Sequence, residues 1–286
     1  MKKVCVVGWP VEHARSPLIH GHWLAAHALD GVYEKRAVAP DDLPTFMRSL
    51  SAQGYVGCNV TLPHKEATFA LMDDVDAAAR LAQAVNTVWL DDAGRLCGSN
   101  TDGVGFTAHL DQSAPGWDRS RPVVVLGAGG AARGIIAALL EAGATAIVLI
   151  NRTPANALVL ADLFKDAFPG AITVGDAQAP APALRDAGLL INTTALGMTG
   201  QPPLSIDLAP LPADAVVADI VYAPLRTALL AQAEARGLTS VDGLGMLLHQ
   251  AVPGFERWFG VRPAVTSALR ELVVADLDAS AREQEA

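Results

Sequence analysis

A lysine, an aspartate and several uncharged polar residues stand at the ends of predicted strands. Lys65 follows the strand pattern YVGCNVTL and begins a helix, and Asp102 precedes the helix pattern GVGFTAHLDQ. Asn59, Thr61 and Asn86 occupy similar positions. Each has an ordinary alternative explanation, because lysines at such positions are mostly solvated, Asp102 could cap its helix, and Asn and Thr are common in caps and turns. Together they place a base, an acid and neutral hydrogen-bonding groups where open α/β sheets bind ligands.

A glycine-rich turn in the middle of the chain could hold phosphate. The stretch from Gly127 to Ala132 reads GAGGAA, follows the apolar strand VVVL and opens a helix. In such a GxGxxA pattern the first glycine makes a tight turn, the second lets backbone approach a pyrophosphate, and the small last residue lets helix and strand pack closely. The pattern predicts a dinucleotide site at a helix N-terminus; the alternative is a tight turn without a ligand.

The end of the next strand indicates which dinucleotide is bound. An NAD site usually has an acid there to accept the ribose hydroxyls, but this chain has Asn151-Arg152-Thr153-Pro154. A guanidinium can hold a 2′-phosphate that a carboxylate would repel. Thr153 and Pro154 also fit the N-cap and first residue of a helix. The pattern favours NADP, the alternative being an ordinary exposed arginine in a turn.

Composition excludes several other classes of function. The 286 residues carry 30 Asp and Glu against 21 Lys and Arg, a formal charge of -9, with no basic cluster, so a nucleic-acid partner is not expected. No apolar run is long enough for a membrane span, and the seven histidines show no metal-ligand spacing. Cys5, Cys58 and Cys97 form no CxxC pair, which favours a reducing cytoplasm over a disulfide framework.

Alternating strand and helix patterns surround these residues and predict mostly parallel sheets. Ser16 is predicted as the N-cap of the first helix, with Pro17 as its first residue, and Gly54 is predicted to close the second helix. A hairpin is predicted around the turn Asp91–Gly94. A nucleotide domain that begins near Val104 needs a partner to bring substrate to it, and the first hundred residues are long enough to be that partner.

These segments, in this order and spacing, resemble the shikimate dehydrogenase family over nearly the whole chain. The segments that carry the resemblance are GWPVEHARSPLIH, GCNVTLPHKE, AVNTV, SNTDGVGF, GAGGAARG, NRTP, INTTALGM, ADIVYAPLRT and DGLGMLLHQA. NVTLPHK, NTDGVG and DGLGM are the most specific of them. The resemblance implies a two-domain α/β fold, in which residues 1–103 and 244–286 form a mostly parallel substrate domain completed by C-terminal helices. Residues 104–243 would form an inserted Rossmann-type NADP domain.

The resemblance also implies the reaction and its residues: the reversible NADPH-dependent reduction of 3-dehydroshikimate to shikimate, without a metal. Lys65 and Asp102 would be the catalytic pair. The substrate-binding residues would be Ser16, Asn59, Thr61, Asn86, Tyr222 and Gln250. The cofactor-binding residues would be Gly127, Ala128, Gly129, Gly130, Ala131, Asn151, Arg152, Thr153, Ile220 and Gly243. A small polar acid would be the partner of a cytoplasmic monomer or homodimer.

The proposed roles agree with the chemistry of ketone reduction. The carbonyl oxygen needs a proton as the hydride arrives; Lys65 can supply it, and Asp102 can orient the ammonium and bond a hydroxyl. A substrate with several hydroxyls and a carboxylate explains the many amide and hydroxyl side chains, since such a polar site discriminates strongly against analogues that lack a hydroxyl.

Three positions depart from the family pattern. The substrate-carboxylate loop usually carries two serines, but here Ala14 replaces the first and only Ser16 remains. The second basic residue that often follows Asn-Arg-Thr is replaced by Asn156. Pro253 lies inside a predicted helix, where its missing N–H should bend the helix. Two alternatives stay open: a quinate/shikimate or related polyol-acid dehydrogenase on the same scaffold, and a non-catalytic NADP-binding regulatory module.

Overall fold

A computed structural model describes residues 1–285, which divide into two compact units. The first unit comprises Met1–Asp102 and Leu248–Val273, and the second comprises Gly103–Leu247 and the segment that starts at Val274. Each unit contains a six-stranded sheet. Compactness does not identify the ligand of either unit, so the assignment of a substrate domain and an NADP domain stays a prediction.

The sheet of the first unit is mixed. Its strands have the order β2-β1-β3-β5-β6-β4, with β1 parallel to β2 and β3, and β5 antiparallel to β3 and β6. The predicted hairpin is confirmed as the β5–β6 pair. The strands are β1 (Lys2–Gly8), β2 (Gly31–Ala37), β3 (Tyr55–Val60), β4 (Asp74–Val75), β5 (Thr87–Leu90) and β6 (Leu96–Ser99).

Four short helices connect these strands, and two predicted helix boundaries are wrong. Ser16 is the first helical residue and not the N-cap; Arg15 takes that place without a side-chain cap bond, because a guanidinium has no acceptor for the helix N–H groups. The second helix ends at Arg48 and not at Gly54, since the chain between them forms turns that Gly54 closes at a φ of 79°. The helices are α1 (Ser16–Ala26), α2 (Leu43–Arg48), α3 (Lys65–Phe69) and α4 (Ala77–Ala82).

The second unit has an all-parallel sheet with the order β12-β11-β10-β7-β8-β9. Its inner strands are buried apolar runs, as expected for a parallel sheet covered on both faces. From β7 the chain winds outward to β9 and then crosses to β10 on the other side, which makes the β7/β10 boundary a topological switch point where such sheets bind ligands. The strands are β7 (Val123–Leu126), β8 (Ile147–Ile150), β9 (Ile172–Val174), β10 (Leu189–Asn192), β11 (Val216–Asp219) and β12 (Thr239–Val241).

Seven further helices complete the described chain. The last two run across the unit boundaries, and α10 continues through Pro253 without a break in its helical assignment. Within residues 1–285 no helix is long and apolar enough to cross a membrane. The helices are α5 (Asp102–Ser113), α6 (Gly130–Glu141), α7 (Pro154–Phe164), α8 (Ala181–Leu184), α9 (Ala228–Ala235), α10 (Gly243–Phe259) and α11 (Ser267–Glu285).

Candidate active site

Lys65 and Asp102 form a largely buried ion pair in the first unit. Lys65 is the first residue of α3 and Asp102 the first of α5, and Lys65 Nζ lies 2.5 Å from Asp102 Oδ2. Their side chains are 13% and 5% exposed. A helix N-terminus disfavours a cation, so the carboxylate compensates for the unfavourable position of the lysine. The lysine is therefore held by an acid and is not a solvated surface residue.

The Asp102 carboxylate is fixed from its other side by an amide. Asn86 Nδ2 donates to Asp102 Oδ1 at 2.8 Å, and Asn100 Oδ1 accepts the backbone N–H of Asp102 at 3.1 Å. Within the described residues both carboxylate oxygens thus bond side chains of other segments and not the amides of α5. The alternative that Asp102 serves as a helix cap is not supported. Asn100, which was not predicted as a site residue, accepts the hydrogen bond at the helix start.

Asn86 is the centre of a buried hydrogen-bond network. Its Oδ1 accepts from the Thr101 N–H at 2.9 Å and from Thr87 Oγ1 at 3.0 Å, and its Nδ2 lies 3.4 Å from Gln250 Oε1. Thr101 Oγ1 donates to the backbone oxygen of Gln250 at 2.8 Å, which ties α10 to the network. Thr87 and Thr101 were not predicted as separate site residues, although both lie inside the motifs AVNTV and SNTDGVGF.

Asn59 extends the network into the middle of the sheet. Its Nδ2 donates to the backbone oxygen of Asn86 at 3.1 Å and to Thr87 Oγ1 at 3.2 Å. Its Oδ1 accepts from the Tyr33 hydroxyl at 2.6 Å. Burial raises the pKa of Tyr33 well above 10, so the phenol keeps the proton that it donates. Tyr33 belongs to no motif and could not have been found from local sequence.

The remaining substrate candidates are not all part of this network. Ser16 is buried at the start of α1. Thr61 lies just past β3, partly exposed, with its backbone N–H bonded to Val7 at 2.8 Å. Tyr222 follows β11 and belongs to the second unit. The structure therefore joins Asn59, Asn86 and Gln250 to the ion pair by hydrogen bonds, and it assigns Tyr222 to the other unit.

Two glycines of the turn after β7 differ in what the fold requires of them. Gly127 has a φ of 106°, and a Cβ atom there would lie 2.8 Å from Thr193 Oγ1, so the turn itself needs glycine. A Cβ at Gly129 would meet no atom within 4 Å, and its φ of -94° suits any residue. Packing gives no reason for glycine at Gly129, whereas close approach of a ligand to the backbone does. Gly130 and Ala131 begin α6, whose first N–H groups receive no side-chain cap.

The segment after β8 presents an unpaired arginine. Arg152 is exposed and makes no hydrogen bond or ion pair with any residue that the structure describes. Asn151 Nδ2 donates to the Thr153 backbone oxygen at 2.9 Å, which closes the turn that carries Arg152. The predicted helix start is confirmed, with Thr153 as N-cap and Pro154 first in α7, although the Thr153 side chain makes no cap bond. A phosphate here would meet a guanidinium beside a helix N-terminus.

Ile220 and Gly243 are brought together by the end of β11. A Cβ at Gly243 would lie 2.3 Å from the Ile220 backbone oxygen, so only glycine allows this approach. Asp219 anchors the same segment: Oδ1 accepts from Asn192 Nδ2 at 2.9 Å and from the Val221 N–H at 3.0 Å. Burial raises the pKa of Asp219. This anchor was not predicted from sequence, because it joins residues 27 positions apart.

The two units thus hold different kinds of site. The first unit offers an ammonium, a carboxylate and oriented amides, which can transfer a proton and bind hydroxyl groups. The second offers a glycine turn, a helix N-terminus and an unpaired guanidinium, which suit a phosphorylated dinucleotide. Within residues 1–285 no three His, Cys, Asp or Glu side chains are grouped so that they could hold a metal ion.

Three family models match successive parts of the chain. The shikimate dehydrogenase substrate binding domain matches residues 6–88, shikimate/quinate 5-dehydrogenase matches residues 112–195, and the shikimate 5′-dehydrogenase C-terminal domain matches residues 243–273. All three matches belong to one enzyme family and follow the order of the chain.

Relatives extend the match to nearly the full length. Shikimate dehydrogenase (NADP(+)) from Mesorhizobium japonicum is 56% identical over 276 residues, covering 96% of this chain and 97% of that protein. The Thermus thermophilus shikimate 5-dehydrogenase, solved with NADP(H) and shikimate, is 36% identical with a TM-score of 0.83, covering 95% and 98%. Quinate dehydrogenase from Corynebacterium glutamicum, solved with NAD, is 31% identical with a TM-score of 0.88, covering 96% and 99%. The chain therefore belongs to the shikimate dehydrogenase family.

Proposed function

We propose that the chain catalyses the reversible NADPH-dependent reduction of 3-dehydroshikimate to shikimate, a step in aromatic amino acid biosynthesis. The observation that carries this proposal is the buried contact between Lys65 Nζ and Asp102 Oδ2. NADP dependence agrees with the relatives, which are named for NADP(+). A non-catalytic NADP-binding module would have no need of a buried lysine and aspartate connected to three amides.

Lys65 would deliver the proton that ketone reduction requires. As the carbonyl carbon is reduced, its oxygen gains negative charge and must be protonated. Asp102 holds the ammonium by one carboxylate oxygen, while Asn86 holds the other, so the Lys65 side chain is aimed before substrate arrives. Such preorganisation removes the entropy cost of finding the reactive geometry. In the reverse direction the same lysine would accept the proton of the substrate hydroxyl.

The substrate would be held by amide and hydroxyl groups of the first unit. Shikimate carries hydroxyl groups and a carboxylate, and a site of neutral hydrogen-bonding side chains matches these groups without excess charge. We assign this role to Ser16, Asn59, Thr61, Asn86, Tyr222 and Gln250. Three of them, Asn59, Asn86 and Gln250, support the assignment by being joined to the Lys65–Asp102 pair.

The cofactor would be held by the second unit. The open space above Gly129 accommodates a pyrophosphate close to the backbone, and the unpaired Arg152 suits a 2′-phosphate. NADPH supplies the hydride when it is bound. We assign cofactor contacts to Gly127, Ala128, Gly129, Gly130, Ala131, Asn151, Arg152, Thr153, Ile220 and Gly243.

One set of assays tests the function. Oxidation of shikimate and of quinate is measured, each with NADP and with NAD, and we expect the highest kcat/KM for shikimate with NADP. Quinate is included in the assay because a quinate dehydrogenase shares the fold and because Ala14 replaces a serine expected at the substrate carboxylate. Higher kcat/KM for quinate would establish that alternative, and tight NADPH binding without turnover of either acid would establish a regulatory module.

We further propose residues 1–103 with 244–286 as the substrate domain, residues 104–243 as the NADP domain, and a cytoplasmic monomer or homodimer. The three cysteines are free and buried, which supports a reducing compartment. Light scattering of the purified chain would distinguish one copy from two, and expression of residues 104–243 alone with an NADPH titration would test the domain assignment.

A further inference from the structure

Tyr33 is held between α1 and β3 by contacts at both of its ends. Ser16 and His20 are four residues apart on α1 and therefore lie on the same helix face. His20 stacks on the Tyr33 ring with centroids 4.1 Å apart and planes 7° apart. The Ser16 hydroxyl opposes in part the rise in the Tyr33 pKa that burial causes, and the Tyr33 hydroxyl donates to Asn59 Oδ1 at 2.6 Å. The ring and the hydroxyl are both fixed, so the direction of the phenol O–H is defined.

His20 serves here as a flat neutral ring. It is fully buried, and its two ring nitrogens have no hydrogen-bond partner within the described residues. The ring centroids of Trp23, Phe255 and Trp258 lie at most 5.8 Å from that of His20. Burial lowers its pKa to about 3, and neighbouring Asn59 opposes this shift only in part. At neutral pH the ring is therefore uncharged and contributes by stacking.

The hydrogen bond from Tyr33 decides which way the Asn59 amide faces. A phenol that has lost its rotational freedom donates to the carbonyl oxygen of Asn59, so Nδ2 must face the opposite side, where the Asn86 backbone oxygen and Thr87 Oγ1 accept its two hydrogens. Since both N–H groups are used, the amide can offer a substrate only its oxygen, as an acceptor for a hydroxyl.

The same direction of donation continues as far as Asp102. Thr87 Oγ1 donates to Asn86 Oδ1 at 3.0 Å, and Asn86 Nδ2 donates to Asp102 Oδ1 at 2.8 Å. Every bond from Tyr33 to the carboxylate thus points the same way, and bonds in such a chain polarise one another. A reversed Asn59 amide would lose its donation to Thr87 Oγ1, because the amide oxygen would then face that hydroxyl. The same oxygen would also face the backbone oxygen of Asn86.

We propose that Tyr33, clamped by His20, is a positioning residue that fixes the Asn59 amide with its oxygen available to a substrate hydroxyl. The inference rests on the proposed substrate contact of Asn59. Tyr33 itself acts through Asn59 and touches neither the carboxylate nor the ammonium of the catalytic pair.

Steady-state kinetics of Tyr33→Phe test this role, because the substitution keeps the stacked ring and removes only the hydroxyl. We expect the KM for shikimate to rise about three- to tenfold, the value of one neutral hydrogen bond, with kcat within about twofold and the KM for NADP unchanged. Tyr55→Phe is the matched control: it also removes a hydroxyl bonded to a side-chain oxygen, that of Glu34 at 2.7 Å, but outside the network. It should leave both KM values unchanged.

A double variant separates this inference from the role of Asn59. Asn59→Ala should raise the KM for shikimate by about tenfold or more, and Tyr33→Phe should add less than about twofold in that background, since coupled residues are not additive. Full multiplication of the two effects, or an equal effect of Tyr55→Phe, would overturn the positioning role while leaving Asn59 a substrate residue. An unchanged KM in Asn59→Ala would overturn the substrate contact itself. Thermal melting of all four variants shows whether any of them has lost its fold.

Discussion

The candidate ligand sites of the two units consist of different chemical groups. In the first, the groups that could do chemistry are side chains from five separate segments, joined by hydrogen bonds such as that of Asn86 to Asp102. In the second, most of the candidate contacts come from backbone of two short turns, after β7 and after β8. Side chains can be precise about a substrate with many hydroxyls, whereas backbone N–H groups suit the repeated oxygens of a pyrophosphate.

This difference determines how each site should fail. Truncating a side chain in the first unit removes a partner from a buried network and leaves other polar groups unsatisfied. In the second unit the substitutions expected to impair the site are those that enlarge a residue, since Gly127 and Gly129 have no side chain to truncate. The contrast predicts that damage in the first unit appears in turnover or substrate KM, and damage in the second in cofactor binding.

The largest effect is expected for Lys65→Ala. Turnover should fall by about 10²- to 10⁴-fold, because the proposed proton donor is removed, while NADPH affinity barely changes. Measurement of kcat and a fluorescence titration with NADPH check this. Lys165→Ala is the matched control, since it removes a lysine from an exposed ion pair with Asp162. Turnover of Lys65→Ala within a few-fold of the parent enzyme would exclude the lysine from proton transfer.

The next effect is expected for Arg152→Ala in the second unit. A charge-assisted contact to phosphate contributes about 1.5–3 kcal/mol, so kcat/KM with NADP should fall about 10- to 100-fold, mainly through KM, while the value with NAD stays the same. Arg185→Ala, which removes another exposed arginine of the same unit, provides the control. Equal kcat/KM for NADP and NAD in the parent enzyme would contradict the assignment of Arg152, and the missing base at Asn156 should make the preference modest.

Gly129→Ala sharpens the contrast between backbone and side-chain sites. The added methyl meets no protein atom within 4 Å, so the melting temperature should change little. It would stand where the pyrophosphate approaches the backbone, so the Kd for NADPH should rise by about tenfold. Gly127→Ala should instead lower the melting temperature, because of its φ of 106° and its close contact with Thr193. Unaltered NADPH binding by Gly129→Ala would show that no ligand comes near this turn.

The smallest effect is expected for Ala14→Ser in the first unit. A serine would restore a hydroxyl donor for the substrate carboxylate, and the KM for shikimate should fall by only a few-fold, because a bridging water would otherwise supply part of that contact. The turnover number should stay nearly constant, since the carboxylate is bound alike in ground and transition states. An unchanged KM would show that this loop does not hold the carboxylate. A raised KM with activity on another acid would make Ala14 a marker of different specificity.

Local sequence was sufficient for the features that depend on neighbouring residues. The glycine turn, the Thr153–Pro154 helix start and the β5–β6 hairpin were all predicted, because each is set by backbone preferences within a few positions. The same reasoning was wrong for Ser16, which has the residue type and the following proline of an N-cap. Arg15 occupies the N-cap and Ser16 is buried as the first residue of α1, a placement that depends on how the helix packs and not on its local pattern.

The sequence by itself determined the α/β character and, through resemblance, the family, and it predicted two sites at strand ends and the candidate pair Lys65 and Asp102. Tertiary structure alone decided how the side chains of the first unit are joined: Tyr33 to Asn59, Asn59 to Thr87, and Asn86 to Asp102. The physical reason is that an amide or hydroxyl has no preferred partner in the sequence. Its direction is set when burial leaves only a few donors and acceptors within reach and leaving one unpaired costs about 1–3 kcal/mol.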